Sequence, residues 1–313
     1  MVITGSTAAR RYRAVLVVSV SVCLGLAACS SGNTTSGSSP TGSPSSAVTS
    51  IAERPSSPAQ PSNGSEASSQ LAFTGEDEVA WHYSGDNGPD DWGNLEPGCN
   101  PGSTGSQSPI DIETADLTAA PAPNDALTIN YLPTMFEVNN TGRTIEAVPD
   151  DPRANFITID GLNFYLLQFH LHNPSEHTID NTSFGMELHL VNKSDDGALA
   201  VLGILMNAGQ ENPALAELFA KIPPTKTDEQ SAAELDEKID PTDLIPAQSK
   251  VARYSGSLTT PPCSEPVIWS VFLTPSAVSE PQLAALADIF PGNHRPAQPL
   301  NGRTITEISS TVQ

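Results

Sequence analysis

From about residue 126 to 273, apolar and polar residues alternate with a period close to two, and only two stretches keep the 3.6-residue spacing of a helix. Alternation together with β-branched residues predicts strands over 126–131, 135–139, 143–148, 155–160, 163–173, 185–193, 199–206 and 266–273. The first helical stretch, NPALAELFAKI (212–222), opens on an asparagine and meets Pro223 directly after it. The second, SEPQLAALADIF, starts at Ser279 with Pro281 in its first turn. The 28 prolines fall mostly between these segments, as connections between strands require. The pattern predicts a mainly β domain with a large twisted, mostly antiparallel sheet, a few short helices and long surface loops.

The N-terminus follows a different rule. Arg10, Arg11 and Arg13 precede the apolar run AVLVVSVSVCLGLAA, the layout of an export signal and too short for a good membrane span. The run closes on Leu26–Cys29, LAAC, which resembles a bacterial lipobox and implies cleavage before Cys29 and lipidation of its thiol. Residues 1–28 are therefore read as a lipoprotein signal peptide, 29–70 as a Ser/Pro/Gly-rich tether with almost nothing to bury, and 71–313 as one domain. The expected location is the outer face of the cell membrane, held by the lipid alone, or the medium if the thiol is not lipidated. Cys23 and Cys29 fall in the signal region, which leaves Cys99 and Cys263 in the domain. Two cysteines in an exported chain favour a disulfide. A formal charge of −22 argues against nucleic acid or an anionic membrane surface as a partner, because both require a basic patch.

Four of the six histidines lie in one window, FYLLQFHLHNPSEHTIDNTSFGMELHL, which spans 164–190. Residues i and i+2 of a strand share a face. Gln168, His170 and His172 thus take one face of the first strand, with Leu167, Phe169 and Leu171 on the other. In the second strand Glu187, His189 and Val191 oppose Met186, Leu188 and Leu190. Antiparallel pairing through the turn near Asn181 brings His170, His172 and His189 to one point. Three neutral imidazoles with a vacancy are the donor set of a catalytic zinc. Gln168 and Glu187, two residues before ligands on the same faces, are placed to accept a second ring N–H and fix the tautomer. His177 has a different spacing and reads as a structural, hydrogen-bonded histidine, and His82 and His294 stand apart.

HLHNPSE fits the first motif of the cupins, but no Gly-rich second motif with a final histidine follows. The closer resemblance is to the alpha-class carbonic anhydrases, particularly bacterial ones. QFHLHNPSEHTID and ELHLV are similar to that family's zinc-binding signature. WHYSGDNGPDDW (81–92), QSPIDI (107–112), LAVLGIL (199–205), YSGSLTTPPC (254–263) and NHRPAQPLNGR (293–303) follow its order over roughly 78–308.

The resemblance implies a central sheet of about ten strands with Zn2+ at the bottom of a conical cleft. It further implies reversible hydration of carbon dioxide to bicarbonate and a proton by attack of zinc-bound hydroxide. By position, His170, His172 and His189 match the zinc ligands, and Gln168 and Glu187 the groups behind them. Thr259 matches the residue that orients the hydroxide, and Glu176 the carboxylate that holds the threonine's proton. Val191, Val201, Leu258, Val267 and Trp269 match the apolar wall for carbon dioxide, and Cys99 and Cys263 a disulfide of secreted members. Arg143, in NNTGRT, takes the position of the family's proton-shuttling histidine, and a group that stays protonated above about pH 12 cannot accept a proton there. His82, Tyr83 and Glu146 are the candidate substitutes. A catalytically silent binding domain on the same fold is the alternative, although such relatives lose a zinc ligand and none is missing here.

Overall fold

The computed structural model describes residues 81–100, 105–120, 126–228 and 231–313. The signal, lipobox and tether segments lie outside them. The first strands are β1 (Asp111–Ile112), β2 (Thr118–Ala119), β3 (Leu127–Asn130), β4 (Phe136–Asn140) and β5 (Ile145–Pro149). Next come β6 (Phe156–Ile159), β7 (Leu162–His172), β8 (Thr178–Ile179), β9 (Met186–Ser194) and β10 (Leu199–Ala208). The last are β11 (Ala233–Glu234), β12 (Val251–Gly256), β13 (Val267–Val278), β14 (Thr306–Ile308) and β15 (Ser310–Val312). Three short α-helices accompany them: α1 (Trp92–Leu95), α2 (Ala216–Lys221) and α3 (Glu280–Ile289).

One sheet runs in the order β11-β4-β5-β7-β9-β10-β13-β12-β14-β2, with β6, β3 and β15 attached at its side. Its ten-strand path matches the expected size. The sheet is mixed, with nine antiparallel strand pairings and three parallel ones among the described residues. The longest parallel pairing, β10 with β13, lies in its middle, and β14–β2 and β15–β3 are also parallel. The cause is the connection between β10 and β13, long enough to carry α2, β11 and β12 and return the chain in the same direction.

The two longest hydrophobic runs sit centrally for a physical reason. Strand β10 is buried on both faces, Ala200, Leu202, Ile204 and Met206 in the main core and Val201 and Leu205 in a second apolar cluster. Such a strand reads as continuous apolar residues without alternation. Strand β9 divides as expected, with Met186, Leu188 and Leu190 in the main core and Glu187, His189 and Val191 on the opposite face. Strand β7 does not keep one parity. Its core residues are Phe164, Leu166, Phe169 and Leu171, and its register against β9 slips between Leu166 and Gln168. Leu167 is the extra residue of a β-bulge and only half-buried, so it does not share the core face of Phe169 and Leu171 as its parity predicted. The bulge re-aims the strand so that even-numbered residues, which face the core before it, face His189 and Glu187 after it.

Helix α3 begins as its sequence requires. Ser279 caps it, and Ser279 and Gln282 form a reciprocal capping box. The 212–222 stretch divides into a 3-10 turn, Pro213–Leu215, capped by Asn212, and then α2. Gln282 also bonds both main-chain groups of Asn212, at 2.9 Å each, which ties the two helix starts together.

Candidate metal centre

Register alone carries the two strands' histidines together: His170 lies opposite His189 and His172 opposite Glu187. The imidazole centroids of His170, His172 and His189 are 4.9, 5.1 and 4.6 Å apart, and one nitrogen from each falls within 4.8 Å of the others. Each ring has its other nitrogen engaged. His170 Nδ1 donates to Gln168 Oε1 at 2.9 Å, His189 Nε2 to Glu187 Oε1 at 2.9 Å, and His172 Nδ1 to the Asn293 carbonyl at 2.7 Å. These acceptors can only take a proton, so they leave lone pairs on His170 Nε2, His172 Nε2 and His189 Nδ1.

Those lone pairs have nothing to bond among the described residues. His172 Nε2 is buried without a partner, and His189 Nδ1 faces His170 Nε2 at 3.3 Å. Two lone pairs at that distance repel unless a cation lies between them. A tetrahedral zinc at about 2.0–2.1 Å from each nitrogen needs neighbouring nitrogens about 3.3–3.4 Å apart. Protonation is a poor remedy, since burial, followed by the charges of His172 and His189, holds His170 well below the ordinary histidine range. Burial likewise takes His172 to about 4 and lowers His189. The donor set fits a zinc ion.

A second group, His177, Glu187 and His189, is equally close but engaged internally. His177 Nδ1 donates to Glu187 Oε1 at 2.7 Å, and the main-chain N–H groups of Glu176 and His177 donate to Glu187 Oε2 at 2.9 and 2.8 Å. His177 Nε2 meets the Tyr254 hydroxyl at 2.7 Å, and that hydroxyl meets Ser108 Oγ at 2.8 Å. His177 is thus a structural histidine, as its spacing implied. Burial pushes the Glu187 carboxyl up, but the charges and N–H donors of His177 and His189 outweigh it and hold it well below the usual range. Space for that carboxylate comes from Gly203 on β10, where a Cβ would stand 2.9 Å from Glu187 Oε1.

Glu176 is also buried, with Oε1 accepting from the Arg295 main-chain N–H at 2.8 Å. Burial raises its pKa to about 7 against the opposing influence of His189, the Thr259 hydroxyl and that N–H. Thr259 follows β12 in a loop that Cys263 ties to Cys99 by a disulfide. Val191, Val201, Val267 and Trp269 share the second apolar cluster, and Leu258 packs against it. The Trp269 ring lies 4.8 Å from that of His189, which brings this apolar cluster up to the imidazoles. Arg143 holds its guanidinium carbon 4.0 Å from the Trp81 ring centroid. Of the three candidate proton carriers, His82 is exposed, Glu146 pairs in register with His170 and is raised by burial to about 7, and Tyr83 packs edge-on against Trp81.

Several contributors carry no advance assignment in the sequence. Asn293 supplies the carbonyl behind His172, and its side chain bonds the Leu171 and Arg143 carbonyls at 2.9 and 3.1 Å. Arg295, 1% exposed, donates to Gln107 Oε1 and to the Ser108 and Cys99 carbonyls, each at 2.8 Å. Gln107 in turn donates to the Cys263 carbonyl at 3.2 Å. These residues all fall in motifs that match the family outside the histidine window, which was the available signal for them.

Residues 87–309 match the model of the eukaryotic-type carbonic anhydrase family. The chain belongs to that family. It is 41% identical to a carbonic anhydrase of Nostoc over 233 residues, covering 73% of this chain and 86% of the relative. Against a carbonic anhydrase of Klebsiella pneumoniae the identity is 38%, over 72% of this chain and 90% of the relative. Among solved structures, the alpha-carbonic anhydrase of Thermovibrio ammonificans in complex with sulfanilamide is similar at 39% identity and a TM-score of 0.68. It is matched over 73% of this chain and 99% of its own.

Proposed function

We propose that this protein binds one zinc ion through His170, His172 and His189 and catalyses the reversible hydration of carbon dioxide to bicarbonate and a proton. The observation that carries the reading is the pair His170 Nε2 and His189 Nδ1, facing each other at 3.3 Å beside the buried, unpartnered His172 Nε2. Zinc bound there supplies a nucleophile at neutral pH by lowering the pKa of water from about 15.7 to about 7.

The chain's own residues supply the rest. Gln168, Glu187 and the Asn293 carbonyl hold the three rings in the tautomers that expose lone pairs. Thr259, with its proton directed to Glu176, has only lone pairs left for the reacting oxygen and so fixes that oxygen's orientation. Val191, Val201, Leu258, Val267 and Trp269 present an apolar surface on which carbon dioxide, an apolar molecule, rests without competing for hydrogen bonds. Bicarbonate, charged and strongly hydrated, gains nothing from that wall.

Zinc content and carbon dioxide hydration, measured on the purified protein before and after chelation, test the reading. About one zinc per chain with activity lost on its removal supports it, whereas stoichiometric zinc without hydration points to a silent binding domain. The sequence of residues 1–29 supports lipidation at Cys29 and attachment to the outer face of the membrane.

A further inference from the structure

The loop that carries Thr259 spans 257–266, between the end of β12 and the start of β13. One short segment of the chain holds it at both ends. Ser108 and Ser257 are buried and bond reciprocally, the Ser108 N–H to Ser257 Oγ at 2.9 Å and the Ser257 N–H to Ser108 Oγ at 3.1 Å. At the far end Gln107 Nε2 donates to the Cys263 carbonyl at 3.2 Å and to Glu265 Oε1 at 2.6 Å. Arg295 grips that same segment. Its guanidinium donates to Gln107 Oε1, to the Ser108 carbonyl and to the carbonyl of Cys99, which is bonded to Cys263, each at 2.8 Å. The main-chain N–H of Arg295 donates to Glu176 Oε1 at 2.8 Å. Glu176 Oε2 is buried and not engaged by a close partner among the described residues, and the Thr259 hydroxyl acts on that carboxyl. How well hydroxyl and carboxylate meet is therefore set by what holds each of them.

We propose that Arg295 is a positioning residue for the hydration step, one that fixes the Thr259 hydroxyl against the Glu176 carboxylate by holding both. The inference rests on the hydration reading above, in which Thr259 orients the reacting oxygen only while its own proton points to Glu176. Glu176 lies between β7 and β8 and Thr259 between β12 and β13, so no strand pairing sets their separation. Arg295 belongs to neither loop and reaches both. Its main chain fixes the carboxylate, and its side chain fixes the segment that fixes the threonine's loop. A guanidinium suits the task because its planar fork meets three oxygens in set directions, which one ammonium on a flexible stem cannot do. Burial lowers its pKa only to about 10, so it remains a cation at neutral pH, with its central carbon 5.8 Å from the Trp92 ring centroid. A charge that is 1% exposed and bonded through its side chain to neutral oxygens is costly to bury. Packing alone would be served at lower cost by a neutral side chain. The three imidazoles are oriented by Gln168, Glu187 and the Asn293 carbonyl, none of them through the Arg295 side chain.

The test compares the wild type with Arg295→Met, which keeps an unbranched chain without donors, and Arg295→Lys, which keeps the charge. Gln107→Leu cuts the link from Arg295 to Cys263 and leaves the buried charge in place, which keeps the comparison available if Arg295→Met does not fold. Per zinc bound, kcat/KM for carbon dioxide should fall by about tenfold to a hundredfold in Arg295→Met, less in Arg295→Lys, and in the same direction in Gln107→Leu. At low buffer, where proton release limits turnover, kcat should fall less than kcat/KM does, and zinc content should match the wild type. Loss of folded protein would instead lower kcat and kcat/KM together. Independently of activity, the amides of Leu258 and Cys263 bond to carbonyls within the loop, those of Ser264 and Thr260. In metal-free Arg295→Met these two amides should exchange with solvent at least about tenfold faster, while the amides of β7 and β9 keep wild-type rates. Wild-type kcat/KM in every variant that folds, or equal losses in kcat and kcat/KM with faster exchange throughout the sheet, overturns the assignment. In either case a wild type that hydrates carbon dioxide leaves the hydration reading intact. A wild type that binds zinc and hydrates nothing overturns the hydration reading and this assignment with it.

Discussion

Arg143 stands over Trp81, its guanidinium carbon 4.0 Å from the ring centroid, and its carbonyl is held by Asn293 at 3.1 Å. Both backbone and side chain are thus tied down at the position that, by resemblance, would be the family's shuttle. With reprotonation near a ceiling of ~10⁹ M⁻¹s⁻¹, water of pKa ~7 sheds its proton to solvent at on the order of 10² s⁻¹. Arg143→His adds a carrier there. It should raise kcat at low buffer and leave kcat/KM unchanged. Stopped-flow hydration across a buffer series reads both, and a wild-type turnover that is high and indifferent to buffer would show that another group already carries the proton.

His189→Ala removes a ligand, whereas His177→Ala removes a neighbour that only braces Glu187. The first variant should lose zinc to a chelator that leaves the wild type loaded. The second should keep zinc but lose roughly 1–3 kcal/mol of stability, because Glu187 Oε1 and the Tyr254 hydroxyl each lose a partner in a buried setting. Metal analysis and denaturant titration separate the cases. Full zinc occupancy in His189→Ala is the outcome that would overturn the ligand assignment.

Much of this arrangement was legible in the sequence, and the exceptions have physical causes. The histidine face of β9 followed from parity alone, because that strand is regular along its length. On β7 parity gave the right face for Gln168, His170 and His172 but the wrong one for Leu167, since a bulge leaves little trace in composition. It could have been read from the spacing of Phe164, Leu166, Phe169 and Leu171, two, three and two. Strand β12 was missed because VARYSG mixes Arg253, Tyr254 and Ser255 with apolar residues. Its pairing with both β13 and β14 gives it order that its own pattern does not announce. β13 runs past its predicted end through Pro275, where a register irregularity against β10 accommodates the missing N–H. Asn293 acts on His172 through a carbonyl, which every residue has, so no side-chain motif could have identified it.

Gly203→Ala tests how closely Glu187 is fitted. The added methyl carbon would stand 2.9 Å from Glu187 Oε1, well inside contact distance, and the carboxylate must move off His189 or His177 to admit it. Zinc affinity should fall by about 10–100-fold, as it does when a ligand's supporting partner is lost. Competition with a chelator measures it, and wild-type affinity would show that the carboxylate has room to spare.

Cys29→Ser tests the anchor. The protein should move from the membrane fraction to the medium with its hydration activity intact. Unchanged membrane association would refute lipidation at that thiol.

The disulfide supports the most specific prediction about stability. Cys99 and Cys263, separated by 164 residues, are bonded and both 1% exposed. Gln107 and Arg295 clamp the two carbonyls of the same pair, so the Thr259 loop is held by a bond and a polar brace together. Replacing both cysteines by serine should cost about 2–5 kcal/mol, mainly by releasing the unfolded chain. The brace persists when the bond is gone and the ligands lie on other strands, so zinc content should not change. Thr259, however, stands in the same loop as Cys263 and loses the restraint of the bond, so kcat/KM should fall more than zinc occupancy does. Denaturant titration, metal analysis and hydration kinetics on the same sample measure the three quantities. A variant that keeps both wild-type stability and wild-type kcat/KM would show that the polar brace alone positions the loop.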